Sequence, residues 1–353
     1  MTKTNNKSKR HTSPTSNRGA SRSRKRLVPT VKPPIFFPWK DLVWWVKYLI
    51  IFFLVVVLIW PVGLGLLWSM NELYKMIDPT TFPHVDKHIE HILKTTGPNS
   101  PPAKKGVALC EAMINRLNDE LHSRLGWTVN DLIISPTAWP DNRDNRQRGV
   151  IFATRLLVNF FATSFAKYGG AGAEDEHLKE AREQYFAFSP DSWWFPSSED
   201  QYKKGIKMVR EYEKELLKGE AVYNVRSDKL YSLFKFIVSP EFLDQPLGLL
   251  VEENDKVKYS ELDDRIYYTQ GVILVLRDFL TVLVHLYPEI EERGGKDNLN
   301  LAFKAMNKIC TFDPLIVLRG SDDSIFADHR GKMARYLITV KERLSDVADS
   351  LNR

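Results

Sequence analysis

The sequence predicts an all-α protein: one N-terminal transmembrane helix followed by a domain of about eight helices. Two observations carry that prediction. Residues 48–69, YLIIFFLVVVLIWPVGLGLLWS, form an uncharged run of 22 residues. Beyond it, apolar residues recur at the spacing of one helix face, while the strict alternation that marks strands is scarce.

The first 42 residues are expected to be a disordered cytoplasmic tail. They are rich in Ser, Asn, Lys and Arg and hold too few apolar residues to build a core. Residues 1–47 carry 12 Lys/Arg against one acid, Asp41, so a tail of charge +11 precedes a body of charge −5. Such a tail can clamp anionic lipid headgroups; nucleic acid is a less expected partner. Residues 43–70 read as a transmembrane signal anchor. At about 1.5 Å per residue the uncharged run covers roughly 33 Å, the thickness of a hydrocarbon core. Trp44, Trp45 and Trp68 fall near its ends, where interfacial aromatics belong. The run is too long for a cleaved signal peptide, and no small-residue cleavage site follows it. The basic flank stays in the cytoplasm by the positive-inside rule, which places residues 70–353 outside the cytoplasmic membrane.

Residues 71–106 read as a juxtamembrane helix near 80–93 and then a linker, TTGPNSPPAKKG. The helical extracytoplasmic domain is expected over 107–353. Its first helix places Cys110, Ile114, Leu117, Leu121 and Leu125 on one stripe. The helix opening at Val150 is apolar around most of its circumference and should be central. Helices with one charged face follow over about 174–188 and 198–219, with a shorter one at 227–238. Residues 261–287 form a long apolar helix and 297–309 a further one. In the last helix Met333, Leu337, Val340, Leu344, Val347 and Leu351 make a heptad seam, expected to pack in its own core, with a homodimer seam as the alternative. Cys110 and Cys310 can pair or remain buried small hydrophobes, and the sequence leaves both open.

Common catalytic signatures such as HExxH, GxSxG and GxxxxGK[ST] are absent. SLFK, residues 232–235, matches SxxK without its companion elements, and Ser232 reads as an ordinary helix residue. His84, His88 and His91 are spaced to share a helix face, which can bind a divalent metal or sense pH; a solvated face is the plainer expectation. Trp193, Trp194 and Phe195 precede a helix that Ser198 and Gln201 would cap. They are expected as a wedge beneath it, with a sugar platform or a foot in the lipid interface as alternatives. WPDNRDNRQRG, residues 139–149, should enter the Val150 helix, with Asp141, Asp144 or Asn145 capping it and Arg143 and Arg146 pairing with those acids. The alternative gives Arg143, Arg146 and Arg148 to a phosphate or carboxylate.

Five ordered blocks, GWTVNDL (126–132), SPTAWPDNRDNRQRGV (135–150), FSPDSWWFPSSEDQYKKG (188–205), LDDRIYYTQGV (262–272) and PLIVLRGSDDSIFADHRGKMARYL (314–337), resemble a bacterial family known as domain of unknown function 2333. The resemblance implies single-pass inner-membrane proteins of Gram-negative bacteria, with the C-terminal domain in the periplasm, and supplies no activity, cofactor or catalytic residue. Asp328 stands where the pattern leads one to expect Asn, leaving His329 as the matching position. The function expected is a membrane-tethered interaction or scaffold module with an envelope protein partner and no cofactor. The alternatives are an envelope hydrolase, or a ligand, metal or pH sensor, using a polar cleft. Asp263, Asp264 and His329 are the candidate acid and base residues, with Tyr267 beside them.

Overall fold

A computed structural model describes residues 43–79, 81–131, 141–167, 174–252, 261–314 and 327–352, with short pieces at 172, 257–258, 317–318 and 320. The basic tail 1–42, Trp139–Pro140 and most of 315–326 lie outside the described residues. Among the described residues every regular element is helical, as the sequence predicts. The chain divides into two compact units, Met1–Leu64 and Gly65–Arg353.

Helix α1, Trp44–Ile77, supplies all the described regular structure of the first unit and the opening of the second. Its stretch Trp44–Ile59 is apolar. Among the described residues, the one helix long and apolar enough to cross a membrane is α9, Leu262–Leu286, and 83% of its apolar window is buried. It lies in the second unit rather than at the N-terminus. A helix hydrophobic all round and covered by other helices is a core helix.

The second unit is wrapped around α9. Helices α3 (Pro102–His122) and α4 (Asp141–Phe160) pack on it, as do α8 (Asp244–Val251) and α10 (Lys296–Cys310). An outer set comprises α5 (Glu176–Glu180), α6 (Ser198–Lys218), α7 (Ser227–Ile237) and α11 (His329–Leu351). Helix α6 covers α3, while α11 packs on α10, α7 and α8. Helix α2, Lys87–Thr95, buries Ile89 and Ile92 in the same core. The short helix expected near 80–93 corresponds to α2, and α3 already begins at Pro102.

Several expectations change in detail. Helix α4 begins at Asp141, not Val150, so DNRDNRQR forms two helical turns instead of a cap. Ser197, not Ser198, caps α6, accepting from the Asp200 N–H. Ser198 is buried, and its hydroxyl donates to the Ser189 carbonyl. The heptad seam is wholly buried within its own unit, which leaves no open dimer seam on α11. Cys110 and Cys310 are both free and buried, so the small-hydrophobe reading describes them; burial raises both thiols, Cys310 to about 11. Ser232 donates to the Asp228 carbonyl, an ordinary helix contact.

One close approach sets the central geometry. A Cβ at Gly149 of α4 would fall 2.0 Å from the Tyr268 carbonyl oxygen of α9. A Cβ at Gly271 of α9 would fall 2.0 Å from the Arg146 carbonyl oxygen of α4. The two glycines let the backbones meet, and backbone cannot swing aside as a flexible side chain can. Gly271→Ala is expected to lower stability by about 2–3 kcal/mol or more through overpacking. Thermal denaturation followed by circular dichroism checks this. Gly248→Ala in α8 is the control: its Cβ meets nothing within 4 Å, so it should be neutral or slightly stabilising.

Candidate functional site

The buried charge of the second unit collects where α3, α4, α9 and segment 78–86 meet. Helix α3 presents Arg116, Asp119 and Glu120, and α4 presents Arg143, Arg146 and Gln147. Both sets follow the i, i+3, i+4 spacing that puts side chains on one face. Glu120 is the hub. Its Oε1 accepts from Arg146 Nε at 2.9 Å. Its Oε2 accepts from Gln147 Nε2 at 3.0 Å and pairs with Arg143 Nη2 at 3.1 Å. Burial alone would raise the Glu120 carboxyl, but Arg146 and Arg143 outweigh it and hold the carboxyl below its usual range.

Segment 78–86 is fastened across this hub. Asp78 pairs with Arg143, and the Pro79 carbonyl accepts from Arg146. The guanidinium groups of Arg116 and Arg146 lie 5.0 and 5.1 Å from the Phe82 ring centre, within cation–π range. The Phe82 carbonyl accepts from Arg277 Nη1 at 2.6 Å and the His84 carbonyl from Nη2 at 2.9 Å. Arg116 Nε in turn donates to Asp278 at 2.6 Å.

A cleft of about 340 Å³ opens beside this network, lined by Asp78, Phe82, Asp86, Arg116, Asp119 and Glu120 among others. Burial and the charge of Asp86 raise the Asp119 carboxyl to about 7, against the opposing pull of Arg116. Ser123, a hydroxyl in the lining, accepts from Arg143 and donates to the Glu120 carbonyl, so it is not poised as a nucleophile. The cleft can hold or release a proton near neutrality at Asp119. It offers no free guanidinium from Arg143 or Arg146, which are 3% and 1% exposed and committed to protein carboxylates.

The sequence candidates are partly brought together. Arg143 and Arg146 reach the hub, but toward Glu120 and Asp78 rather than toward Asp141 or Asp144. Arg148 pairs instead with Asp191 near the surface. Asp144 accepts from Thr128 Oγ1, and Asn145 donates to Asp264 at 2.7 Å, tying the starts of α4 and α9. Asp263, raised by burial, accepts backbone N–H groups at its own helix start. Tyr267 donates to Asp313 at 3.0 Å, and Asp313 also pairs with Lys75. The His329 Nδ1 accepts from the Leu318 N–H at 3.1 Å, beside the Phe312 ring. Asp263, Asp264, Tyr267 and His329 are not part of the cleft lining. His84 lies before α2, while His88 and His91 are on it; among the described residues no group of three or more His, Cys, Asp or Glu is placed to hold a metal ion.

Sequence reading missed Glu120, Asp119, Arg116 and Asp278. The available signal was charge inside apolar helices: RLNDEL in α3, and the Arg277-Asp278 pair within the longest apolar run of the second unit. A buried charge must be paired, so such a residue announces a partner elsewhere.

Residues 38–240 match a family described as an uncharacterized protein conserved in bacteria, DUF2333. The chain belongs to this family. The DUF2333 match takes in α1, the hub residues of α3 and α4, and the Trp193–Trp194 loop. It ends before α9, so the resemblance at 262–272 and 314–337 falls outside the matched residues. No curated protein and no solved structure matches the chain.

Two outcomes test the hub and cleft. Glu120→Gln should cost about 3–5 kcal/mol in urea denaturation, because it leaves the buried Arg146 guanidinium without a carboxylate and takes one of two from Arg143. Asp119 behaves oppositely. Its folded-state carboxyl is raised, so the folded chain binds more protons than the unfolded one. The stability it contributes is present below pH 4 and is lost as pH rises to about 7. Asp119→Asn should therefore raise the melting temperature at pH 8 relative to wild type by more than it does at pH 4.

Proposed function

We propose that this DUF2333 chain is a membrane-tethered protein of the bacterial envelope whose Gly65–Arg353 unit is an interaction or scaffold module. The observation that carries the reading is the surface of α1. Tyr48, Leu49, Phe52, Phe53, Leu54, Leu58 and Ile59 are each 52–69% exposed. At about 100° per residue they surround the helix, leaving no sector wider than about 100° without one. Left in water, such a surface forfeits about 25 cal/mol for every Å² of apolar area, and a bilayer removes that penalty. The basic tail sets the direction: residues 1–47 carry +11, which favours a cytoplasmic N-terminus and a periplasmic second unit.

The scaffold half of the reading rests on the hub. Its cations are spent on the protein's own carboxylates, which suits holding a shape better than performing a reaction. A second reading, as a pH sensor, is favoured by Asp119 alone, since its proton is exchanged near neutrality inside a cleft.

Alkaline carbonate extraction of membranes tests the tether. The full chain should stay in the pellet, and the double substitution Phe53→Lys with Leu54→Lys should release at least half of it. A wild-type chain extracted with the soluble proteins would sink the reading. Alkaline phosphatase fused after Arg353 should be active; activity only from a cytoplasm-dependent reporter would reverse the orientation.

A further inference from the structure

The loop before α6 carries three consecutive aromatic side chains that the fold leaves open. Trp193 is 56% exposed, Trp194 70% and Phe195 85%. The wedge expected from sequence is therefore absent, although the loop itself is firmly held. Trp127 Nε1 donates to the Pro190 carbonyl at 3.1 Å, and Asn130 Nδ2 to the Ser192 carbonyl at 2.9 Å. Ser198 Oγ donates to the Ser189 carbonyl at 2.7 Å and accepts from the Ser192 N–H at 3.0 Å. Tyr202 donates to the Phe188 carbonyl at 2.9 Å. A loop pinned at its base this way presents its aromatics with little entropy left to lose on binding.

Beside the aromatics runs a groove bounded by Phe195 and Pro196 on one side and Lys203, Lys204 and Lys207 of α6 on the other. All three lysines are exposed and share one helix face. Lys203 pairs with Glu199, and Asp191 pairs with Arg148. Lys204 and Lys207 carry no ion pair among the described residues, against Asp200 as the remaining acid of the groove. An apolar tip flanked by uncommitted ammonium groups has the chemistry of the lipid interface, where aromatics enter the acyl boundary and lysines meet phosphates.

We propose that the Trp193–Phe195 loop, with Lys204 and Lys207, docks the second unit onto the phospholipid headgroup layer of the membrane that holds α1. The occupant is chosen by the side chains themselves. The most exposed of the three is Phe195, which has no donor or acceptor for a sugar hydroxyl. The docking rests on the tether reading, because a tethered unit meets the bilayer at high effective concentration and needs only a modest contact to settle on it.

The test uses the full chain carrying Trp194→Cys labelled with an environment-sensitive dye; Cys110 and Cys310 are fully buried and stay unlabelled. Reconstituted into phosphatidylethanolamine–phosphatidylglycerol vesicles, the label should shift to the blue. A shallow lipid nitroxide should quench it at least twofold more than a label at Leu301→Cys on α10. Lys204→Glu with Lys207→Glu should remove at least half of that quenching. A chain that floats with the vesicles while label 194 stays water-like and unquenched overturns the docking and leaves the tether standing. A chain that does not float overturns both. A blue shift with soluble wall fragments and none with vesicles would also overturn the proposal, assigning the loop to a glycan.

Discussion

Glu120 is the carboxylate on which the second unit depends. It takes hydrogen bonds from the buried Arg146 guanidinium and the Gln147 amide and forms an ion pair with buried Arg143, and those groups in turn hold Asp78, Pro79 and Gly126. Charges out of water attract strongly, but their desolvation cancels much of the gain. The contribution of such a hub is therefore specificity more than net stability. The Glu120 carboxylate, shared by Arg143, Arg146 and Gln147, admits one register.

The same register serves the backbone crossing of α4 and α9. Gly149 and Gly271 are reciprocal: each removes the Cβ that would strike the other helix's backbone. Arg146 lies three residues before Gly149, so hub and crossing constrain neighbouring turns of one helix. The Asn145–Asp264 bond adds a third tie at the helix starts. Together they explain why the polar stretch Asp141–Arg148 is helical rather than a cap. Arg143 and Arg146 have partners on α3 and in segment 78–86, and helical phasing is what aims them there.

How much of this was legible in the sequence follows from which forces are local. The all-α class, the long apolar α9 and the buried seam of α11 are written in period and hydropathy, so they could be read; that α9 and not the Val150 helix gathers the others around it depends on tertiary packing and could not. Where α4 begins could not be read, because capping residues and paired residues look alike until their partners are known. Asp144 resembles a cap in sequence, yet its carboxylate accepts from Thr128 across the fold. The Trp-Trp-Phe loop misled for a related reason. Aromatics next to a helix start normally pack beneath it, but here Ser198 and Tyr202 hold the loop by hydrogen bonds, leaving the rings uncovered. Arg116 and Asp278 were invisible as a pair because they are 162 residues apart.

The fastening of segment 78–86 has a mechanical side. In the second unit, the chain entering from Gly65 meets the Lys75–Asp313 ion pair first and the Asp78–Arg143 pair next, before it reaches α2. Beyond Asp78 the grip passes to main-chain carbonyls at Pro79, Phe82 and His84, held by Arg146 and Arg277. A pull delivered along the chain is thus shared among successive clamps, anchored on the Phe312–Pro314 stretch, on α4 and on α9. The segment works as a strain relief, spreading load into α4, α9 and the Phe312–Pro314 stretch before any of it can peel α2 from the core.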